Sequence, residues 1–119
     1  MEFNQKLLLV SIELVIRIHP HIKQGEKDYI PLIIENDNEI AKLIAKNWSS
    51  IIMKEGLFKE MKDELILNDY PHVQFIHIQR GSFDNISSLT ITNLPELKYL
   101  IFENYSFHNT TSLTLSSIF

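Results

Sequence analysis

The 119-residue sequence contains no cysteine. That excludes a disulfide framework, a thiolate metal centre and a cysteine nucleophile. Only 3 glycines and 4 prolines occur, which excludes collagen-like and linker compositions. The glycines, Gly25, Gly56 and Gly81, are scattered and cannot form a phosphate-cradling loop. There is no basic excess: 11 Lys and Arg stand against 15 Asp and Glu, for a net charge of −4. A nucleic-acid-binding module ordinarily carries a basic stripe, so no nucleic-acid partner is expected. Nor is there a long apolar run. The stretch from Leu7 is interrupted by Glu13 and Arg17, short of the roughly 20 apolar residues a spanning helix needs. Glu2 precedes Lys6 and no small-residue cleavage site follows, so neither a signal peptide nor a membrane span is expected. What is present, 45% hydrophobic and 22% charged residues, suits a single globular domain.

Along the chain, Val10, Ile12, Leu14, Ile16 and Ile18 recur with a period of two and predict a strand. Residues 19–28 are polar, with Pro20 and Gly25, and read as a loop. Tyr29 to Glu35 predicts a second strand, which Pro31 either places at a sheet edge or confines to pairing beyond Pro31. Asp37 is a plausible N-cap, and Ile40, Leu43 and Ile44 at i, i+3, i+4 predict a short amphipathic α-helix over 38–46. Trp48 to Met53 returns to strand character, and the charged stretch 56–64 reads as loop or a single helical turn.

From Leu65 the sequence repeats. Residues 65–88, 89–112 and 113–119 align without a gap at a period of 24. Leu65, Leu89 and Leu113 coincide, as do Pro71 and Pro95, Ser82–Phe83 and Ser106–Phe107, Asn85 and Asn109, and Ser88 and Ser112. An earlier, degenerate unit from about residue 40 aligns with one inserted residue, placing Ile51 and Met53 at Ile76 and Ile78, and Phe58 at Phe83. One such unit cannot bury its own apolar face, so neighbouring units must stack and like residues form ladders. The string from Tyr105 to Leu115, with Ser106, Phe107, Asn109, Thr110, Ser112 and Leu113, resembles the BspA-like leucine-rich repeats. Ser82, Phe83, Asn85, Ile86 and Leu89 follow the same pattern more loosely, and Ile86 and Thr110 stand where that family often has cysteine. The resemblance covers about residues 65–119. It implies a non-catalytic binding surface, of the kind found in cell-surface adhesins.

The expected fold is therefore α+β: an N-terminal α/β cap over 1–64, then a leucine-rich-repeat-type β-solenoid over 65–119 with 24-residue units. The expected function is a non-enzymatic protein-interaction or adhesion module, the N-terminal part of a longer array. The alternative is a self-assembling element that pairs through an open C-terminal edge. The partner is a protein, and no cofactor or metal is expected.

Candidate sites reduce to one face. His19 and His21 are two apart but lack the further ligands that zinc requires; an enzyme reading would place its site in this N-terminal part, around His19, His21 and Glu35. Ser82 lacks a nucleophile turn and suits a corner. The run Lys59, Glu60, Lys62, Asp63, Glu64 reads as a solvated surface. Thr90, Thr92, Thr114 and Ser116 form a short hydroxyl ladder that β propensity accounts for. Asn47, Asn85, Asn104 and Asn109 begin Asn-x-Ser/Thr sequons, with corner roles preferred over glycosylation. The remaining set is Phe75, His77, Tyr99, Ile101 and Glu103, an outward ladder with the aromatic character of recognition residues. If Val73, Ile76 and Ile78 all face inward, a bulge is expected near Phe75.

Overall fold

Apolar residues alternating with polar ones build two mainly parallel sheets around a shared core in the computed structural model, which describes residues 2–4, 14–17 and 30–118. In chain order the strands are β1 (Glu2–Asn4), β2 (Leu14–Arg17), β3 (Pro31–Ile34), β4 (Ser50–Met53), β5 (Glu64–Asn68), β6 (Phe75–Ile78), β7 (Ser88–Thr92), β8 (Tyr99–Phe102) and β9 (Ser112–Ser116). One sheet has the order β1-β9-β7-β5 and the other β2-β8-β6-β4-β3. Successive strands alternate between the sheets from β5 to β9, so like positions stand side by side. Leu65 pairs with Leu89 and Leu89 with Leu113 in the first sheet; Ile51, Ile76 and Leu100 line up in the second.

The inward rows fill the core: Leu65, Leu67, Leu89, Ile91, Leu113 and Leu115 from one sheet, Leu32, Ile34, Ile51, Met53, Ile76 and Ile78 from the other. At one corner the rings of Phe58, Phe83 and Phe107 stack, with centroids 4.7 and 5.5 Å apart. Each of these phenylalanines has a left-handed backbone, φ 56–57°. That conformation turns the chain sharply while sending the ring inward.

The structure corrects the expected α+β arrangement of a helical cap followed by a solenoid. Among the described residues there is no α-helix, and the chain forms one small two-sheet domain. Asp37–Ile44 is a 3₁₀ helix. With three residues per turn, Ile40 and Leu43 share a face, whereas Ile44 turns away. Leu43 is buried and Ile44 is 76% exposed, so an i+4 partner chosen for an α-helix points to solvent. The cap is Asn36, whose side chain accepts from Asn38 N at 3.1 Å; Asp37 instead accepts from Phe58 N at 2.8 Å. Strands β3 and β4, from the region assigned to the cap, belong to the same sheet as β6 and β8. Strands β1 and β2 run antiparallel along β9 and β8, so the chain's own N-terminal strands occupy the side of the last strands expected to stand open. No bulge interrupts β6: Val73 lies in the loop before the strand, and Phe75–Ile78 alternate regularly.

Candidate functional site

The outer face of the five-stranded sheet is built by register. Parallel pairing sets Pro31, Ser50, Phe75 and Tyr99 in one row and Ile33, Ile52, His77 and Ile101 in the next. Side chains two apart on a strand share a face, so both rows lie on the outer side while Leu32, Ile51, Ile76 and Leu100 look in; within the first row Ser50 is fully buried between its neighbours. The result is an apolar strip with Ile33 42% and Tyr99 37% exposed and Ile52, Phe75 and Ile101 half-buried. The Phe75 ring meets Tyr99 edge-on, centroids 6.4 Å apart, and His77 at 5.9 Å. These edge contacts hold the aromatic rings upright.

The polar members are already tied together. His77 Nε2 and Glu103 Oε2 lie 2.5 Å apart, and Glu103 Oε1 accepts from Arg80 N at 3.2 Å. This link spans two neighbouring strands and fixes the imidazole at the edge of the apolar strip. At the other end of the strip, Lys98 Nζ donates to Gln74 Oε1 at 3.1 Å. The strip is thus rimmed by bonded polar groups, the arrangement of an interface centre with a polar border.

All five residues singled out from sequence, Phe75, His77, Tyr99, Ile101 and Glu103, come together on this face. Sequence reasoning missed Ile33 and Ile52. The signal was present: once Ile51 and Met53 are aligned with Ile76 and Ile78, Ile52 falls in the His77 column.

Other candidates sit elsewhere. Ser82 is buried; its hydroxyl donates to Lys54 O at 2.7 Å and accepts from Leu57 N at 3.1 Å. Ser106 repeats the role, donating to Gln79 O at 2.8 Å. A hydroxyl so occupied braces a corner. Asn85 Nδ2 donates to Lys59 O and Asn109 Nδ2 to Asn85 Oδ1, both at 2.9 Å, so two sequon asparagines form an amide ladder. His72 lies 3.9 Å from Glu96 on the surface. Among the described residues no group of three His, Asp or Glu is placed to hold a metal. His19 and His21 lie outside the described residues; Glu35 is exposed, its N–H donating to Glu39 Oε1 at 2.8 Å. Lys42 and that backbone N–H hold the Glu39 carboxyl below its usual range. Among the described residues no helix is long and apolar enough to cross a membrane.

No family model, curated protein or solved structure matches the chain.

Proposed function

We propose that the protein is a non-enzymatic protein-binding module whose docking surface is the outer face of the five-stranded sheet. The observation that carries this reading is the strip of Ile33, Ile52, Phe75, Tyr99 and Ile101, set upright on paired backbone and rimmed by the bonded His77–Glu103 pair. Contiguous apolar surface framed by polar groups is what a protein partner desolvates on docking, and aromatic members carry most of the energy. A β-sheet holds the strip in place, so little ordering cost attends binding. The resemblance of residues 105–115 to BspA-like repeats agrees with a binding role. The self-assembly reading has less to rest on, because β1 and β2 take up the backbone groups of β9 and β8.

The test is affinity purification from the native source with quantitative mass spectrometry. A Phe75→Ala/Tyr99→Ala/Ile101→Ala protein should lose its specific partner by more than tenfold relative to the native protein, with an unchanged circular dichroism spectrum. Equal recovery would remove this face from consideration.

A further inference from the structure

A second surface, at the corner where β4, β6 and β8 end, is built by the same register. Three successive turns place Gly56, Gly81 and Tyr105 at equivalent positions, all with left-handed backbones of φ 71°, 75° and 64°. Two backbone bonds tie these turns together, Gly56 N donating to Arg80 O at 2.8 Å and Gly81 N to Asn104 O at 3.0 Å. The glycines carry no side chain, so the middle column becomes the floor of a trough. Glu55 and Arg80 stand along one side, and Lys59, Asp84 and His108 along the other. At the third turn Tyr105 replaces glycine and closes the trough. Its ring lies 5.4 Å from the Arg80 guanidinium and 5.7 Å from the His108 ring. The trough is open to solvent along its length and holds about 600 Å³, a volume within the range of small-molecule sites.

We propose that this trough binds a neutral oligosaccharide. Two cations, Lys59 and Arg80, are balanced by two carboxylates, Glu55 and Asp84, so the trough has no preference for an ionic ligand. None of the four forms an ion pair with another described residue. The Glu55 and Asp84 carboxylates, outside any ion pair, and the planar Arg80 guanidinium held over the Tyr105 ring are suited to paired hydrogen bonds with adjacent hydroxyls. The Tyr105 ring, 42% exposed, offers an apolar platform against which the C–H face of a terminal sugar can stack. Successive turns repeat at about 4.8 Å, giving a floor ~10 Å long, open at the Gly56 end for the rest of the chain. A peptide is less well served: the two floor N–H groups are already bonded between turns, leaving them no strand-pairing role, and among the described residues Tyr105 is the only large apolar side chain lining the space.

The experiment is an array of neutral di- to tetrasaccharides of hexoses and N-acetylhexosamines, printed beside sialylated and sulfated glycans and a peptide set. Calorimetric titration with the neutral glycan captured follows. The side chain in Gly81→Asn fills the trough, and asparagine tolerates left-handed backbone; a Cβ at Gly81 meets no heavy atom within 4 Å. Tyr105→Gly removes the end wall at a position where glycine is unstrained. Neutral glycans should bind, and each variant should lose affinity at least tenfold while keeping a cooperative melt and the native circular dichroism spectrum. Arg80→Gln, an exposed position, should lose affinity likewise and gives a readout independent of the turns. Capture of acidic glycans only, of peptides only or of nothing would overturn the proposal. So would neutral-glycan affinity that survives all three substitutions.

Discussion

At the scale of single residues, the corners decide the fold. Phe58, Phe83 and Phe107 accept a backbone conformation that costs a non-glycine residue roughly 1–2 kcal/mol. They persist because each ring is buried against its neighbours. A second left-handed column, Asp69, Asn93 and Ser117, closes β5, β7 and β9, and there Asn93 Nδ2 donates to Asp69 Oδ1 at 2.7 Å. Polar residues suit that exposed corner; aromatic ones suit the buried corner. Phe83 lies between two rings and is fully buried, so Phe83→Ala should destabilise the domain by about 3–5 kcal/mol, measured by urea denaturation. Tyr70 gives a second residue-scale prediction. Its hydroxyl donates to Leu43 O at 2.6 Å, and burial pushes the phenol up to about 12. The unfolded phenol ionises near pH 10. Its stabilising contribution is therefore complete below about pH 10 and disappears as the pH rises through 12. Denaturation curves at pH 8 and 11 should show a larger loss for the native protein than for Tyr70→Phe.

At the scale of elements, edges matter most. The 3₁₀ segment stands where the first sheet would otherwise end at β5. Tyr70 reaches Leu43 O, Lys46 Nζ donates to Asn68 O at 3.0 Å, and the same ammonium sits 4.2 Å from the Tyr70 ring centre. The edge at β3 is blunted differently. Ile30 and Ile34 carbonyls face β4, accepting from Ser49 N and Lys54 N at 2.7 and 3.0 Å. The alternate residues, Pro31 and Ile33, therefore direct their backbone groups away. Pro31 has no N–H and Glu35 N is taken by Glu39, so of these three outward positions only Ile33 presents a backbone donor. An edge so short of donors resists pairing with another chain. Pro31→Val restores a donor, and should raise concentration-dependent association by light scattering; unchanged scattering would mean that Pro31 does not guard the edge. Two features were readable in the sequence. Pro31 narrows its strand to an edge or to partial pairing, and the Ser-Phe pairs announce corners by recurring. The 3₁₀ helix was not readable, because apolar residues at 40, 43 and 44 fit an α-helix better than they fit three residues per turn.

For the whole molecule, the orders β5-β7-β9 and β6-β8 follow from the 24-residue spacing, since it sets like residues beside like. The closure does not. Nothing local to Leu14–Arg17 or Glu2–Asn4 marks them as partners of Tyr99–Phe102 and Ser112–Ser116, and antiparallel pairing between the two ends of a sequence leaves no periodic trace. The candidate face was more legible than its frame. Phe75, His77, Tyr99 and Ile101 share one face as soon as the repeat is aligned. Ile33 joins them only through β3, whose offset from β4 is 19 residues rather than 24. That face is the centre of the functional account, and site-specific photo-cross-linking in the native source tests it most directly. A photoreactive residue at Ile33, Ile52 or Tyr99 should yield the same partner adduct, absent when Ile101→Glu is added. A probe at Thr90, on the outer face of the opposite sheet, should yield none. An equal adduct from Thr90, or none from the strip, would contradict the account.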